Sequence, residues 1–119
     1  MSKVLIVEDA GDCLMPLKKL LQRDGHLVEC AANGREALTI AERFVPDTVV
    51  TDLMMPEMDG VSFIRALRQD PRFSTVPVVV FTALVHDRIQ KQLEDLGVTK
   101  VHLKADLNIT ELLRSVQAC

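Results

Sequence analysis

Several side chains that could take part in chemistry follow directly after short apolar runs in this 119-residue sequence. They comprise three carboxylates, a hydroxyl and an ammonium: Glu8, Asp9, Asp52, Thr82 and Lys104. Three carboxylates brought together would repel one another unless a cation lay between them, and oxygen ligands from few residues suit Mg²⁺. The hydroxyl and the ammonium would then bind the remaining oxygens of a phosphoryl group. The set therefore describes a carboxylate nucleophile, a metal that screens it, and two donors that receive developing charge.

The apolar pattern predicts the elements that position these residues. Five β-branched runs alternate with five longer stretches whose apolar residues have helical spacing. The runs are Val4–Val7, Leu27–Ala31, Thr48–Thr51, Val76–Thr82 and Val101–Leu103. Strict alternation predicts an α/β fold, a doubly wound five-stranded parallel sheet with five helices on its two faces. The commonest strand order, 2-1-3-4-5, places ligands beyond the carboxyl ends of the strands, where the reactive residues lie.

Helix boundaries are marked by local signals. Two Asn-x-x-Glu motifs, at 33–36 and 108–111, have the spacing of a helix-opening capping box. Gly25 and Gly97 stand where left-handed C-terminal caps would end the first and fourth helices. Pro16 falls early in the first helical stretch and predicts a late or distorted helix start.

Composition excludes several classes of protein. The length fits one domain, residues 1–119, with no room for a separate output domain. The net charge of -3 without a basic cluster argues against direct nucleic-acid binding. No apolar run approaches the ~18 residues of a membrane span. The three cysteines form no CxxC pair, which indicates free thiols in a reducing compartment, and we expect a cytoplasmic domain.

The whole chain resembles the receiver domain of bacterial two-component response regulators. The resemblance rests on four segments in order: 4–9 (VLIVED), 52–60 (DLMMPEMDG), 81–83 (FTA) and Lys104. It implies a flavodoxin-like fold and a signalling switch rather than an enzyme that acts on free substrates. The switch would receive a phosphoryl group from a sensor histidine kinase or a phosphotransfer protein, and a separate effector protein would read its state.

The resemblance also assigns a role to each residue of the predicted site. Asp52 would be the phosphoacceptor and would share in a Mg²⁺ site. Asp9 would bind Mg²⁺ directly, Glu8 through water, and Met54 through its backbone carbonyl. Thr82 and Lys104 would hold the phosphoryl oxygens.

The chain departs from the family pattern near the lysine. Ala105 stands where the family usually has a proline after a cis bond, and we predict a trans bond between Lys104 and Ala105 because cis costs about 2.5–4 kcal/mol without proline. Val101 replaces the usual aromatic switch residue. In the resembling family, the residues two after the phosphoacceptor and two after the threonine flank the path of the hydrolytic water. Here they would be Met54 and Leu84, and neither side chain can orient a water molecule. We therefore expect slow self-dephosphorylation, which Met54→Asn combined with Leu84→Glu should accelerate.

Two other functions compete on the same architecture. A flavin-binding electron carrier needs a phosphate-binding loop after the first strand, but 8–12 reads Glu-Asp-Ala-Gly-Asp, and the chain has no Trp or Tyr. An aspartate-nucleophile phosphatase usually has Asp-x-Asp at the nucleophile, but Met54 stands two residues after Asp52. A colourless protein would argue against the first, and turnover of a phosphate ester with Mg²⁺ would favour the second.

Overall fold

The computed structural model describes residues 2–8, 15–53, 58–83, 86–104 and 108–118. Strands and helices alternate along these residues as predicted. The strands are β1 (Lys3–Val7), β2 (Leu27–Ala31), β3 (Thr48–Asp52), β4 (Val78–Thr82) and β5 (Lys100–Leu103). The α-helices are α1 (Met15–Arg23), α2 (Gly34–Phe44), α3 (Gly60–Gln69), α4 (Asp87–Asp95) and α5 (Ile109–Gln117), with a short 3₁₀ turn at Pro71–Phe73.

The five strands form one parallel sheet in the order β2-β1-β3-β4-β5. This confirms the predicted strand order and the doubly wound fold class. Since all strands run in the same direction, their carboxyl ends share one edge of the sheet. That edge includes the reversal between β1 and β3, where ligands bind in such folds.

Each face of the sheet carries its own hydrophobic core. Leu5 and Val7 of β1 point into one cluster, which the buried residues of α2 and α3 complete. Val4 and Ile6 point into the other cluster, against α1 and α5. The alternation follows from the period of two in a strand, so helices must cover both faces.

The predicted helix caps are confirmed. Asn33 Oδ1 accepts a hydrogen bond of 2.8 Å from the Glu36 amide at the start of α2. Asn108 caps α5 in the same way, accepting from the Thr110 and Glu111 amides. Gly25 and Gly97 have positive φ angles of 90° and 71°, which a residue without Cβ adopts at little cost.

Proline residues lie at two of the element boundaries, the start of α1 and the start of β4. Pro16 is the second residue of α1 as described, where its missing N–H removes no helical hydrogen bond. The prediction that the fourth strand begins at Val76 is wrong, because β4 begins at Val78. Pro77 has no N–H for the ladder, and the Val76 carbonyl accepts instead from the Arg68 guanidinium at 2.6 Å.

The end of α2 has an unusual conformation. Val45 leaves the helix before Pro46, as proline requires, but it does so with φ 48° and ψ 70°. This left-handed region costs an L-residue about 1–2 kcal/mol, and a β-branched side chain fits it poorly. Val45 is therefore a strained residue at the amino edge of the sheet, remote from the reactive residues.

Across the described residues, the helices are all too short or too polar to span a bilayer.

Candidate functional site

Asp52 is the last residue of β3 and is only 1% exposed. Its Oδ1 accepts a hydrogen bond of 2.6 Å from the Leu53 amide. The neighbouring Thr51 hydroxyl donates to the Asp52 carbonyl at 2.8 Å. The first bond orients the carboxylate, and the second holds the backbone of Asp52 at the edge where the strands end.

Lys104 brings a positive charge to this carboxylate. It follows β5, and its Nζ lies 2.8 Å from Asp52 Oδ2. The same nitrogen lies 3.6 Å from Oε2 of Glu8, which follows β1 and is 6% exposed. One ammonium thus faces two buried carboxylates from different strands.

Among the ion pairs of the described residues, one ammonium serves two carboxylates at this site. Burying a carboxylate costs free energy unless a counter-charge or hydrogen bonds compensate it, and Lys104 shares its single positive charge between Glu8 and Asp52. Both carboxylates offer oxygen ligands, which is the donor type that Mg²⁺ prefers. The cluster therefore fits an additional cation better than it fits none.

Thr82 is the last residue of β4, the strand between β3 and β5, and is 1% exposed. The sheet register pairs it with Leu103, the residue before Lys104. This places a hydroxyl-bearing residue at the same edge as Asp52 and Lys104. The predicted hydroxyl and ammonium positions are therefore adjacent.

The start of α3 packs closely against the end of β3, a feature that the sequence pattern alone did not identify. A Cβ at Gly60 would overlap the Asp52 carbonyl oxygen and would lie 2.6 Å from the Leu53 Cα, so only glycine fits. The Gly60 amide donates to the Leu53 carbonyl at 2.9 Å, while Asp59 Oδ1 caps α3 by accepting from the Ser62 amide. Asp59-Gly60 by itself reads as a turn. The spacing between Asp59 and Ser62, which is typical of a helix N-cap, is the sequence signal that marks the start of α3.

The structure brings four of the six predicted site residues to one edge of the sheet: Glu8, Asp52, Thr82 and Lys104. Asp9 and Met54 lie outside the described residues, as do Leu84 and Ala105. The peptide bond between Lys104 and Ala105 therefore lies outside them too. Their predicted roles stay predictions. Within the described ranges, no group of three His, Cys, Asp or Glu side chains is arranged to hold a metal ion.

The structure adds information on two residues, Val101 of β5 and Phe81 of β4. Val101, at the position of the usual aromatic switch, is half-buried in β5 and packs against the core cluster that contains Leu5 and Val7. Phe81 of β4 was missed as a neighbour of the site, although its ring centroid lies 5.4 Å from Lys104 Nζ. No sequence signal links these two residues, because only the sheet brings them together.

The fold and this cluster together define the class: a doubly wound α/β domain with buried carboxylates and a lysine at the carboxyl edge of its sheet. Residues 4–117 match the response regulator receiver domain family. The chain belongs to this family, and it is a receiver domain of two-component signalling. Membership of the family favours the switch over the flavin carrier and the phosphatase.

Individual relatives agree with this assignment. The chain is 33% identical over 114 residues to a 14.6 kDa protein of Leptolyngbya boryana, covering 96% of this chain and 86% of that protein. It is 38% identical over 90 residues to the response regulator Rre1 of Synechocystis sp., covering 73% of this chain but 39% of the relative. Its structure is similar to that of the chemotaxis protein CheY4 of Vibrio cholerae, with a TM-score of 0.89, 31% identity, and coverage of 99% and 98%.

Proposed function

We propose that this domain is switched by Mg²⁺-dependent phosphorylation of Asp52. The observation that supports the proposal most directly is the buried Asp52 carboxylate, which lies 2.8 Å from Lys104 Nζ with Glu8 at the same ammonium. A carboxylate held by its neighbours at a strand end, with a cation beside it, suits attack on a phosphoryl group. The family supplies the same role for an aspartate at this place in its motif.

The proposed transfer needs few protein groups. A carboxylate oxygen of Asp52 bonds to phosphorus while the bond from phosphorus to the donor's imidazole nitrogen breaks, and the imidazole keeps the electron pair. Lys104 exchanges its contact with Asp52 for one with a phosphoryl oxygen, so its charge offsets the incoming negative charge. The Thr82 hydroxyl donates to a second phosphoryl oxygen.

Glu8 and Asp52 are the described residues that would hold Mg²⁺, and Asp9 and the Met54 carbonyl are the further predicted ligands. The bound ion would neutralise charge that develops on the transferred group. Glu8 then has a purpose beyond its ion pair with Lys104, because its buried carboxylate adds negative charge that attracts a cation to the edge.

The partners and setting belong to this proposal too. A sensor histidine kinase or phosphotransfer protein would donate the phosphoryl group, and a separate effector protein would read the result in the cytoplasm. Residues 1–119 would act as a single receiver domain. Curated relatives differ on this point, since the chain spans 86% of the Leptolyngbya protein but only 39% of the Synechocystis regulator.

Intact-mass measurement tests the phosphoacceptor. With acetyl phosphate and Mg²⁺, we expect the addition of one phosphoryl group, and we expect none in Asp52→Asn. Asp47→Asn is the matched control, because Asp47 is an exposed carboxylate that accepts from the Lys3 amide at the opposite edge. Labelling that persists in Asp52→Asn, or that disappears equally in Asp47→Asn, would contradict the assignment.

A further inference from the structure

The Lys104 ammonium has a third neighbour that the proposed phosphorylation does not use. Its Nζ lies over the ring of Phe81, 5.4 Å from the centroid. A cation within about 6 Å of an aromatic face is attracted by the negative charge of that face. Phe81 is fully buried, so the ring cannot turn away into solvent.

The sheet explains why the ring lies on the path of the lysine. Lys104 must reach from the end of β5 across β4 to contact Asp52 on β3. Phe81 is the register partner of Asp52 on one side and of His102 on the other. Phe81 is therefore on the strand that Lys104 crosses, and its ring lies 5.4 Å from the ammonium.

The rest of the core keeps the ring in this place. Phe81 belongs to the cluster that Leu17 and Leu21 of α1 and Leu112 of α5 complete. These buried side chains leave the ring little freedom, since a close-packed interior resists rotamer changes. The position of the ring is thus set by the hydrophobic core rather than by the charged site.

We propose that Phe81 is a positioning residue that holds the Lys104 ammonium at the point where it meets Asp52. This inference rests on the proposed role of Lys104 in binding the phosphoryl group. The ring carries no net charge and does not titrate, so its attraction for Lys104 persists when the partner changes from a carboxylate to a phosphoryl oxygen. An aliphatic side chain would fill the same space without attracting the ammonium.

The direct test is NMR of the lysine side chain. Lys104→Met identifies the Lys104 Cε protons by their absence from the spectrum. These protons should show an upfield ring-current shift in the wild type that disappears in Phe81→Leu. Phe63→Leu is the matched control, because Phe63 is equally buried but belongs to the core on the other face. It should leave the Lys104 shift in place.

A double-mutant cycle tests the consequence for phosphorylation. We expect Phe81→Leu to slow labelling by acetyl phosphate about 2- to 10-fold, the range that one cation–π contact supplies. In the Lys104→Met background, Phe81→Leu should have no further effect, because the ring acts through the lysine. An equal slowing in both backgrounds, or an unchanged Lys104 shift in Phe81→Leu, would overturn the inference.

Two failures remain distinguishable. If the wild type takes no phosphoryl group, or if Asp52→Asn still takes one, the proposed function fails, while the NMR shifts still decide whether Phe81 holds Lys104. If Phe81→Leu does not fold, Phe81→Met replaces it, since a flexible thioether fills irregular space without an aromatic face. Equal slowing in both backgrounds, or an unchanged Lys104 shift, would overturn the inference for Phe81→Met as well.

Discussion

Two basic side chains, Lys104 and Arg68, lie near opposite ends of the strands, and they contact different kinds of partner. Lys104 lies at the carboxyl edge of the sheet and faces two carboxylates, Asp52 and Glu8. Arg68 lies near the end of α3 and donates to backbone carbonyl oxygens alone among its described hydrogen bonds. Both side chains are partly buried, yet only one of them faces opposite charge.

Arg68 connects three segments of the chain. Its Nε donates to the Leu96 carbonyl at 2.8 Å and its Nη2 to the Gly97 carbonyl at 3.2 Å. Its Nη1 donates to the carbonyls of Phe73 and Val76, at 2.9 and 2.6 Å. Burial lowers the pKa of the Arg68 guanidinium below its ordinary value, and the group still remains protonated. The guanidinium thus fastens α3 to the segment before β4 and to the turn after α4.

The difference teaches which charge is structural and which is available for function. Carbonyl oxygens are fixed by the backbone and carry no charge that a ligand could replace. The carboxylates beside Lys104 attract any cation, and Lys104 itself can move to another anion. We therefore expect loss of Arg68 to affect stability alone, and loss of Lys104 to be compensated by other cations.

The largest effect should come from Arg68→Met. Losing the donor removes the Arg68 hydrogen bonds to four carbonyls, of which the Phe73 carbonyl still accepts from the Val76 amide at 3.4 Å. We expect this to lower the free energy of unfolding by about 2–4 kcal/mol. Urea denaturation measures this, and Arg65→Met, exposed one turn earlier on α3, is the control that should change it little. Equal losses in both variants would mean that the carbonyl contacts contribute nothing special.

Lys104→Met should have a smaller effect that depends on Mg²⁺. Without the ammonium, the carboxylates of Asp52 and Glu8 lack their shared counter-charge, and we expect a loss of about 1–3 kcal/mol because Lys104 is itself partly exposed. Added Mg²⁺ should stabilise Lys104→Met more than it stabilises the wild type or Arg68→Met. If Mg²⁺ stabilises all three proteins equally, the proposed difference between Lys104 and Arg68 is wrong.

Val45→Asn should raise the stability of the protein without changing its phosphorylation. Asparagine tolerates the left-handed conformation that valine adopts here, so we expect the free energy of unfolding to rise by about 1 kcal/mol. The labelling rate at Asp52 should not change, because Val45 lies at the other edge of the sheet. Val45→Ile keeps the branched side chain and should bring no gain, and a gain there would disprove the strain.

The smallest effect should be an acid sensitivity at His102. Burial chiefly lowers its pKa from the ordinary 6.5, Lys100 adds to this, and Glu111 opposes it, while its Nε2 lies 3.0 Å from the Ser115 hydroxyl. The folded protein therefore binds fewer protons than the unfolded chain, so stability falls as the pH drops below 6.5 and the loss is complete below the folded pKa. In His102→Gln this part of the pH dependence should vanish from urea titrations. An identical pH profile in both proteins would contradict it.

The fold could be predicted from the sequence because its signals are local. Alternating apolar patterns, the caps at Asn33 and Asn108, and the two glycines that end helices all lie within single elements. Val76 is the exception. Its local pattern predicts a strand, but its carbonyl accepts a hydrogen bond from the distant Arg68 side chain and not from the sheet.

The site could be predicted only in part, because some of its contacts join elements that are remote in sequence. Strand-end positions follow from topology, so the sequence predicts that Glu8, Asp52, Thr82 and Lys104 lie at one edge of the sheet. The ring of Phe81 beneath the lysine and the close approach at Gly60 depend on distances between elements that are remote in sequence. Residue patterns do not encode such distances.

The strand that precedes Lys104 has a consequence for how continuously the site is complete. β5 lies at the border of the sheet, where it pairs with β4 alone among the described strands. Detachment of β5 alone would leave Asp52 and Glu8 without the Lys104 ammonium. Hydrogen exchange of the β5 amides should therefore report how often the nucleophile loses its cation.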